Sequence, residues 1–504
     1  MNFNLLLEQK NRNPDILDCL ANFSSDEVPT PPDIANEVLD LLPKDVWENE
    51  NLKWLDPGCK SGVFLREIAK RLLIGLEKKI PVYESRVEHI FKTMLFGSSI
   101  TELTCYVSTR SLYCSKYADS EFSAVKFDSR TGNIRYNPLK HVSGTSSARS
   151  CVECRAPSTY LSDERANNGL ETHAYEFIHS EGRKWFKDMK FDIIVGNPPY
   201  QLGDGGGSSA TPLYNHFVEK AIELNPKYIC FIIPSRWFNT GKGLGEFRKK
   251  MLSEKRISKL INFPDASEIF PGPSIKGGVC YFLWDREYNG DCDFETVQNK
   301  ITISRQRISL GEFDVIIRNS KGVDILKKVQ SKNELTLKDV VSSQTPFGIL
   351  SSFVGKEVKS KTDSIKVYRR GGISWASKSE ITRNYGWKDS WKVLIPKASD
   401  GSSKPPLSVL GKPLLSEPGS VCSQTYLVAS LFSSEKEAIN FEAYLKTKFL
   451  RFLVSLRKTT QDVKPSSFDY VPKLPMTKLY TDSELYSRYE LEADEILFIE
   501  ETIK

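Results

Sequence analysis

"KFDIIVGNPPYQ", residues 190–201, is the stretch on which the reading of this chain turns. Phe191 to Val195 form a short run that is apolar but for Asp192, the mark of a buried strand, and the run stops at Gly196. Asn197, Pro198, Pro199 and Tyr200 follow at once. Two prolines stiffen the turn and remove two backbone donors, which leaves the local carbonyls as fixed acceptors. Asn197 adds a side-chain carbonyl, and Tyr200 adds a flat π-face. Two acceptors beneath an aromatic plate suit a planar molecule that carries an exocyclic amine. Taken alone, the four residues read more simply as a stiffened surface turn. Placed after a core strand and downstream of a glycine loop, they read as a binding site.

That loop is "LDPGCKSGVF", residues 55–64, with Asp56 at a strand end, then Gly58 and Gly62, then a helix. Small residues there let backbone approach a ligand, and the helix N-terminus favours a negative group. The spacing is neither a dinucleotide GxGxxG nor a phosphate-binding loop, since no GK[ST] follows. Strand-like runs continue at "MLFGSS", "THAYEFIH", "KYICFIIPS", "ISKLINFPD" and "GGVCYFLWDR", with helices between them. This alternation predicts an α/β fold with a mostly parallel sheet covered on both faces. "TPPDIANEVLDLLP" predicts an amphipathic helix opening on Pro31 and Pro32 after a Thr30 cap, within a helical preamble spanning residues 1–45.

The 504 residues exceed one compact core, and 39% hydrophobic with 27% charged residues is an ordinary globular composition. The boundaries expected are a catalytic domain over 1–112 and 171–300, an insertion over 113–170, a third domain over 301–475 and terminal helices over 476–504. No apolar run is long enough to span a membrane, and the first residues lack the pattern of a secretory signal. A net charge of +6 permits a polyanionic partner without demanding one. Ten cysteines without an export signal favour reduced thiols or a metal site over disulfides.

The motifs, in this order over residues 25–290, resemble the gamma-class N6-adenine DNA methyltransferases of restriction–modification systems, the TaqI type. The resemblance implies a Rossmann-like sheet, S-adenosylmethionine as methyl donor, duplex DNA as partner and a bacterial or archaeal cytoplasm. It also implies a separate restriction endonuclease alongside. By that match Asn197, Pro198 and Tyr200 hold the target amine and base, and Phe270 of "EIFPGPSIKGGVCYF" sandwiches the flipped base. Thr30, Asp56, Gly58, Gly62 and Ile100 would surround the cofactor. Glu176 would bond its adenine, and Phe177 would pack on it. One departure stands out. Ser99 occupies the place of the acid that usually bonds the ribose, and Glu102 is displaced by a helical step. The same motif also serves N4-cytosine, RNA and protein-glutamine methyl transfer, and the Ser99 departure leaves room for a DNA-binding protein without cofactor.

Two further regions carry chemistry. Cys114, His141, Cys151 and Cys154, the last two as "CVEC", have the makings of a tetrahedral structural zinc site in the insertion. The plain alternative is scattered reduced thiols, with Cys105 as another candidate ligand. "VYRRGGISWASKSEITRNYGWKDSWKV" interleaves Arg369, Arg370, Lys378, Arg383 and Lys388 with Trp375, Tyr385, Trp387 and Trp391. Cations among planar groups suit a nucleic-acid surface, so an α+β target-recognition domain is expected there, with Arg457, Lys458 and Lys464 joining it. Glu357, Lys359 and Asp339 have the makings of a nuclease triad, but three such residues are common by chance.

Overall fold

The computed structural model describes residues 29–142, 150–157, 173–202, 211–239, 241, 243–271, 275, 277–399, 405–458 and 461–504. The part of the helical preamble in residues 1–28 lies outside them. The chain divides into two compact units, the first ending at Ile316 and the second starting at Ile317.

The first unit is built on a nine-stranded sheet. In chain order its strands are β1 (Trp54–Asp56), β2 (Leu95–Ser98), β3 (Ile134–Arg135) and β4 (Ile193–Gly196). A two-stranded ribbon, β5 (Gln201–Leu202) with β6 (Thr211–Pro212), stands apart from the sheet. Then come β7 (Tyr228–Pro234), β8 (Ile257–Phe263), β9 (Val279–Asp285), β10 (Cys292–Gln298) and β11 (Ile301–Ile308). Their spatial order is β11-β10-β8-β9-β7-β4-β1-β2-β3. Pairing is parallel throughout except that β9 runs antiparallel between β7 and β8, and β11 antiparallel to β10.

Strands β1, β4 and β7 are buried along their whole length, so apart from Asp56 at the end of β1 their sequences run without polar alternation. Successive side chains feed two separate cores. Trp54, Ile193 and Val195 face one, while Leu55 and Ile194 face the other. The first core is closed by α1 (Pro32–Leu39) and α2 (Val63–Gly75). Helices α3 (Tyr83–His89) and α4 (Glu102–Tyr113) flank β2; α5 (Arg183–Met189), α6 (Tyr214–Leu224) and α7 (Gly245–Ser253) belong to the second half. The sheet order reverses at β1, whose neighbours are β2 on one side and β4 on the other. That reversal opens a crevice outside the carboxyl ends of β1 and β4, the usual ligand position of open α/β sheets.

Several sequence expectations change. Residues 134–135 belong to the main sheet as β3, paired with Gly97 and Ser98, so the insertion does not begin at 113. "HAYEFIH" is no strand; Glu176–Ile178 form a short 3-10 turn. The boundary at 300 falls inside the β10–β11 hairpin, and the first unit continues to Ile316. Thr30 does not cap α1. Pro31 takes the N-cap position, with no side-chain cap bond.

The second unit holds two three-stranded sheets. One has the order β13 (Gly372–Ala376), β12 (Ile365–Arg369), β16 (Ser420–Cys422); the other has β15 (Leu414–Ser416), β14 (Trp391–Pro396), β17 (Tyr426–Phe432). Helices α8 (Ser320–Gln330), α9 (Glu435–Tyr444), α10 (Lys448–Arg457), α11 (Asp482–Arg488) and α12 (Ala493–Thr502) complete it, the last two realising the expected terminal helices.

Gly75 shows how tightly the first core closes. A Cβ there would lie 2.1 Å from the Trp47 carbonyl oxygen, and Trp47 is itself stacked on Trp54 at 5.0 Å. In an unobstructed helix Gly→Ala stabilises by about 1 kcal/mol. Here the backbone clash dominates, and Gly75→Ala should destabilise the protein by about 1–3 kcal/mol. Denaturant unfolding followed by circular dichroism checks the sign. A stabilised variant would mean that the end of α2 is not packed on Trp47.

Candidate active site at the ends of β1 and β4

Asp56 closes β1 and is 2% exposed. Its Oδ1 accepts the Gly58 N–H at 3.1 Å, which curls the loop back over the strand end. Burial pushes the Asp56 carboxyl up to about 7, against the opposing pull of the Gly58 N–H and the Lys60 charge. Gly62, at the N-cap of α2, has φ +72°, and a Cβ there would sit 3.1 Å from Ser108 Cα. Only a residue without a side chain fits that turn. The Cys59 N–H donates to the Ser98 carbonyl at 3.1 Å, which ties the loop to the end of β2. Ser61 is buried, and its hydroxyl has no hydrogen-bond partner among the described residues.

The two strand ends touch. Gly196 has φ +154°, and a Cβ on it would lie 2.6 Å from Asp56 Oδ1. A Cβ on Gly58 would lie 3.6 Å from Pro198 Cα. The glycine loop and the Asn-Pro-Pro-Tyr turn therefore wall one crevice. Asn197 is 2% exposed, and its Nδ2 donates to Thr30 Oγ1 at 3.1 Å. That bond uses the amide nitrogen and leaves Oδ1 as the acceptor end of the side chain. The hydroxyl expected to cap a helix instead positions the Asn197 side chain.

Tyr200 meets Phe270 edge to face, with centroids 6.4 Å apart and planes at 72°, and meets Tyr214 at 6.5 Å. The Tyr200 hydroxyl is buried without a partner among the described residues. Lys60, itself buried, places Nζ 5.7 Å from the Tyr200 ring centroid. Sequence reasoning passed over Lys60; the available signal was a lysine amid small residues in "GCKSG". A planar base between parallel rings needs about 7 Å, two contacts of about 3.5 Å, so Phe270 would have to turn to admit one.

The remaining expected cofactor residues are spread wider. Ser99 Oγ lies 3.3 Å from Cys59 Sγ and 3.4 Å from Ser108 Oγ, in a small buried polar group at the end of β2. Glu102 is exposed in the first turn of α4. The Ile100 carbonyl accepts from His173 Nε2 at 2.6 Å. Both carboxylate oxygens of Glu176 accept from Arg135 Nε at 2.8 Å, and Asn137 Nδ2 adds a third bond at 2.8 Å. Phe177 packs in the second core, against Phe186 at 5.1 Å and stacked on Phe217 at 5.5 Å.

The metal-ligand set expected from sequence needs one correction. His141, Cys151 and Cys154 do come together, but the fourth member is His179, and the four ligand atoms lie within 4.8 Å of one another. Cys114 is exposed at the C-cap of α4 in a left-handed conformation and takes no part. The missed signal was the closing histidine of "HAYEFIH", a segment read only for its acid and its phenylalanine.

In the second unit Arg369 and Arg370 lie at the tip of the β12–β13 hairpin, where a Cβ on Gly371 or Gly372 would meet nothing within 4 Å. Arg383 is exposed, and Lys388 pairs with Asp389 while its Nζ lies 4.8 Å from the Tyr385 ring centroid. Lys458 is half-buried at the end of α10. Arg457 departs from the expected surface. Its side chain is 10% exposed, ion-paired with Asp469, and Nε donates to the Ser466 carbonyl at 2.9 Å. A guanidinium so enclosed holds the fold together and is not offered to phosphates.

A family model described as the Eco57I restriction-modification methylase matches residues 93–270, from β2 past the Asn-Pro-Pro-Tyr turn to Phe270. The chain is 35% identical over 369 residues to an uncharacterized adenine-specific methylase of Mycoplasma pneumoniae, covering 66% of this chain and 87% of that protein. It is 27% identical over 232 residues to the type II restriction enzyme and methyltransferase RM.Eco57I of Escherichia coli, covering 39% of this chain and 23% of that one. Among solved structures, the DrdV–DNA complex covers 89% of this chain and 55% of its own, at 12% identity and a TM-score of 0.48. The type IIG restriction endonuclease BpuSI covers 96% and 62%, at 11% identity and a TM-score of 0.39. The chain thus spans under a quarter of RM.Eco57I and between half and two thirds of these two solved chains. Over 87% of its Mycoplasma pneumoniae relative, and across the segment that holds the Asn-Pro-Pro-Tyr turn, it matches one family: the chain belongs to the Eco57I-type adenine-specific DNA methylases of restriction–modification systems.

Proposed function

We propose that the crevice outside β1 and β4 transfers a methyl group from S-adenosylmethionine to N6 of an adenine drawn out of duplex DNA. The observation that carries this reading is the contact of the Asp56 loop with the Asn197 turn across the point where the sheet order reverses. Adenine is favoured over cytosine, RNA or a protein amide because the 35% identical relative carries the adenine-specific description.

The residues at the ends of β1 and β2 fit the donor. Asp56 offers a buried carboxylate, Gly58 and Gly62 leave the backbone bare, and the orphaned Ser61 hydroxyl awaits a polar group. S-adenosylmethionine, when bound there, supplies a methyl group on a positively charged sulfur, so no covalent enzyme intermediate is needed. The chain's own task is positioning. Asn197 Oδ1 and the Pro198 carbonyl each accept one hydrogen of the target amine, which leaves its lone pair directed at the cofactor side. Thr30 keeps Asn197 in that orientation. Tyr200 and Phe270 replace the stacking the base loses, a matter of a few kcal/mol. In the second unit, the hairpin tip at Arg369 and Arg370 is the surface proposed to meet DNA phosphates, with Arg383 and Lys388 beside it in the sequence. A partner endonuclease and a bacterial or archaeal cytoplasm belong to the same reading; among the described residues no helix is long and apolar enough to cross a membrane.

Asn197→Ala should lower methyl transfer by at least about 100-fold while S-adenosylmethionine binds nearly as before. Thr30→Val should lose roughly tenfold in turnover and Thr30→Ser little, because only the hydroxyl matters. Tritiated-methyl transfer to DNA, with equilibrium cofactor binding alongside, measures both. Transfer near the wild-type rate in Asn197→Ala would remove the mechanism.

Asp56 carries a pH signature. Its carboxyl is raised to about 7 in the fold from 3.8, so the folded protein binds a proton that the unfolded chain releases between those values. Stability from this group is present in acid and is lost as pH rises through 7. Asp56→Asn should therefore raise the melting temperature most above pH 7, with the gain shrinking toward pH 4, while weakening cofactor binding. A constant difference across that range would place Asp56 in solvent.

Replacing Arg369 and Arg370 by Ala should weaken DNA binding and flatten its salt dependence by about 0.9 in log–log slope for each phosphate that is no longer neutralised. Arg457→Ala should instead lower the melting temperature, since Asp469 loses its buried partner. An unchanged slope in the double variant would take the hairpin out of the DNA surface.

A further inference from the structure

The cluster of His141, Cys151, Cys154 and His179 stands outside the transfer machinery, and its geometry is that of a built site. Cys154 Sγ lies 3.3 Å from His141 Nδ1, and Cys151 Sγ lies 3.7 Å from His179 Nε2. Zinc bonded to sulfur at about 2.3 Å and to nitrogen at about 2.0–2.1 Å sets tetrahedral edges of roughly 3.5 Å. The two measured edges bracket that value. Two sulfurs with two imidazole nitrogens form a donor set that selects zinc over magnesium or calcium, which take oxygen.

The surroundings orient each donor. The Tyr175 carbonyl bonds His179 Nδ1 at 2.8 Å, which places the proton there and leaves Nε2 facing Cys151. The Cys151–Cys154 turn is closed by the Cys151 N–H on the Ala156 carbonyl at 2.8 Å and the Arg155 N–H on the Cys151 carbonyl at 2.9 Å. Arg155, with φ +61°, makes the left-handed exit from that turn. Cys151, Cys154 and His179 are each 1–2% exposed. Glu153 reaches across from the same turn to accept the Ser180 N–H at 2.7 Å, so the cysteine turn and the histidine turn are stapled beside the cluster as well as through it. Among the described residues no other group of Cys, His, Asp and Glu side chains meets the same geometric criterion.

We propose that these four residues hold one zinc ion, which clamps three separate segments of chain: His141 shortly after β3, the Cys151–Cys154 turn, and the 3-10 turn that ends on His179. The ion would add metal–ligand bonds between these segments to the second core, to which Cys151, Cys154, Ala156, Tyr175, Phe177 and Ile178 already belong. The clamp also fixes the turn bearing Glu176, whose carboxylate is received by Arg135 and Asn137 on the far side. Its role is structural, and all four positions are filled by protein, leaving none for substrate.

Elemental analysis of the purified full chain should find about one zinc per molecule, and cobalt substitution should give the intense visible bands of a tetrahedral thiolate site. Cys151→Ser with Cys154→Ser, and separately His179→Ala, should lose the metal and open the segment between residues 140 and 180 to limited proteolysis. His179→Cys should keep it, as a three-cysteine, one-histidine site. Cys114→Ser should keep both metal and protease resistance. None of these readouts depends on methyl transfer. Wild-type protein that stays metal-free after refolding with zinc, retention of zinc in His179→Ala, or its loss in Cys114→Ser would each overturn the proposal.

Discussion

The close approach of two strand ends governs this site. Asp56 and Gly196 close neighbouring parallel strands, and the Asp56 carboxylate occupies the space that any side chain at 196 would need. That contact sets how far the glycine loop stands from the Asn-Pro-Pro-Tyr turn. It also explains why each partner is what it is. A larger residue at 196 would push the turn off the loop and carry Asn197 away from Thr30. An uncharged residue at 56 would relieve the burial that raises the carboxyl to about 7, at the expense of the loop's one buried anion. Reactive geometry here is a property of two segments that are far apart in the chain and almost touching in space.

What the sequence discloses is therefore local. The strand Ile193–Gly196 could be recognised because all of it is buried, and the glycine spacing marked a strand-to-helix turn because Gly62 must adopt a left-handed conformation. The alternation of strands and helices was enough for the mostly parallel sheet, whereas the reversal of strand order at β1 is seen only in the fold. Two-residue β3 was not legible, since Ile134 and Arg135 are too few to show any period. Nor was the 3-10 turn at Glu176–Ile178, whose apolar residues imitate a strand while packing in a turn.

The side-chain partners were harder, for a different reason. Thr30 and Asn197 are 167 positions apart, and a threonine before two prolines is an ordinary helix cap in sequence terms. Tertiary packing overrode that local preference and gave the hydroxyl to the Asn197 amide. The Cys/His cluster was misread in the same way. A cysteine pair announces two ligands, but the other two are set by which loop returns to it. The insertion expected over 113–170 included Cys114 and excluded His179, and the fold supplied His179. Arg457 is the converse case: a cation that looked available in sequence but lies against Asp469 and the Tyr470 ring.

Buried polarity by itself does not separate structural groups from functional ones; the partners do. Lys392 is fully buried, and burial draws its amine down to about 8, yet Nζ donates to the Ser390 carbonyl at 2.7 Å and has the Lys388 and Glu417 carbonyls at 3.4 Å. Glu176 is equally enclosed and receives Arg135 and Asn137. Such groups are completed by the fold and ask for nothing more. At the ends of β1 and β4 the balance differs. The Ser61 and Tyr200 hydroxyls lie buried without partners among the described residues, in the loop and the turn that also hold an aspartate whose charge the interior disfavours. Each of those groups lowers stability where it stands. Their concentration in one crevice, and at the point where the sheet order reverses, is what a site looks like when the molecule that completes it comes from outside the chain.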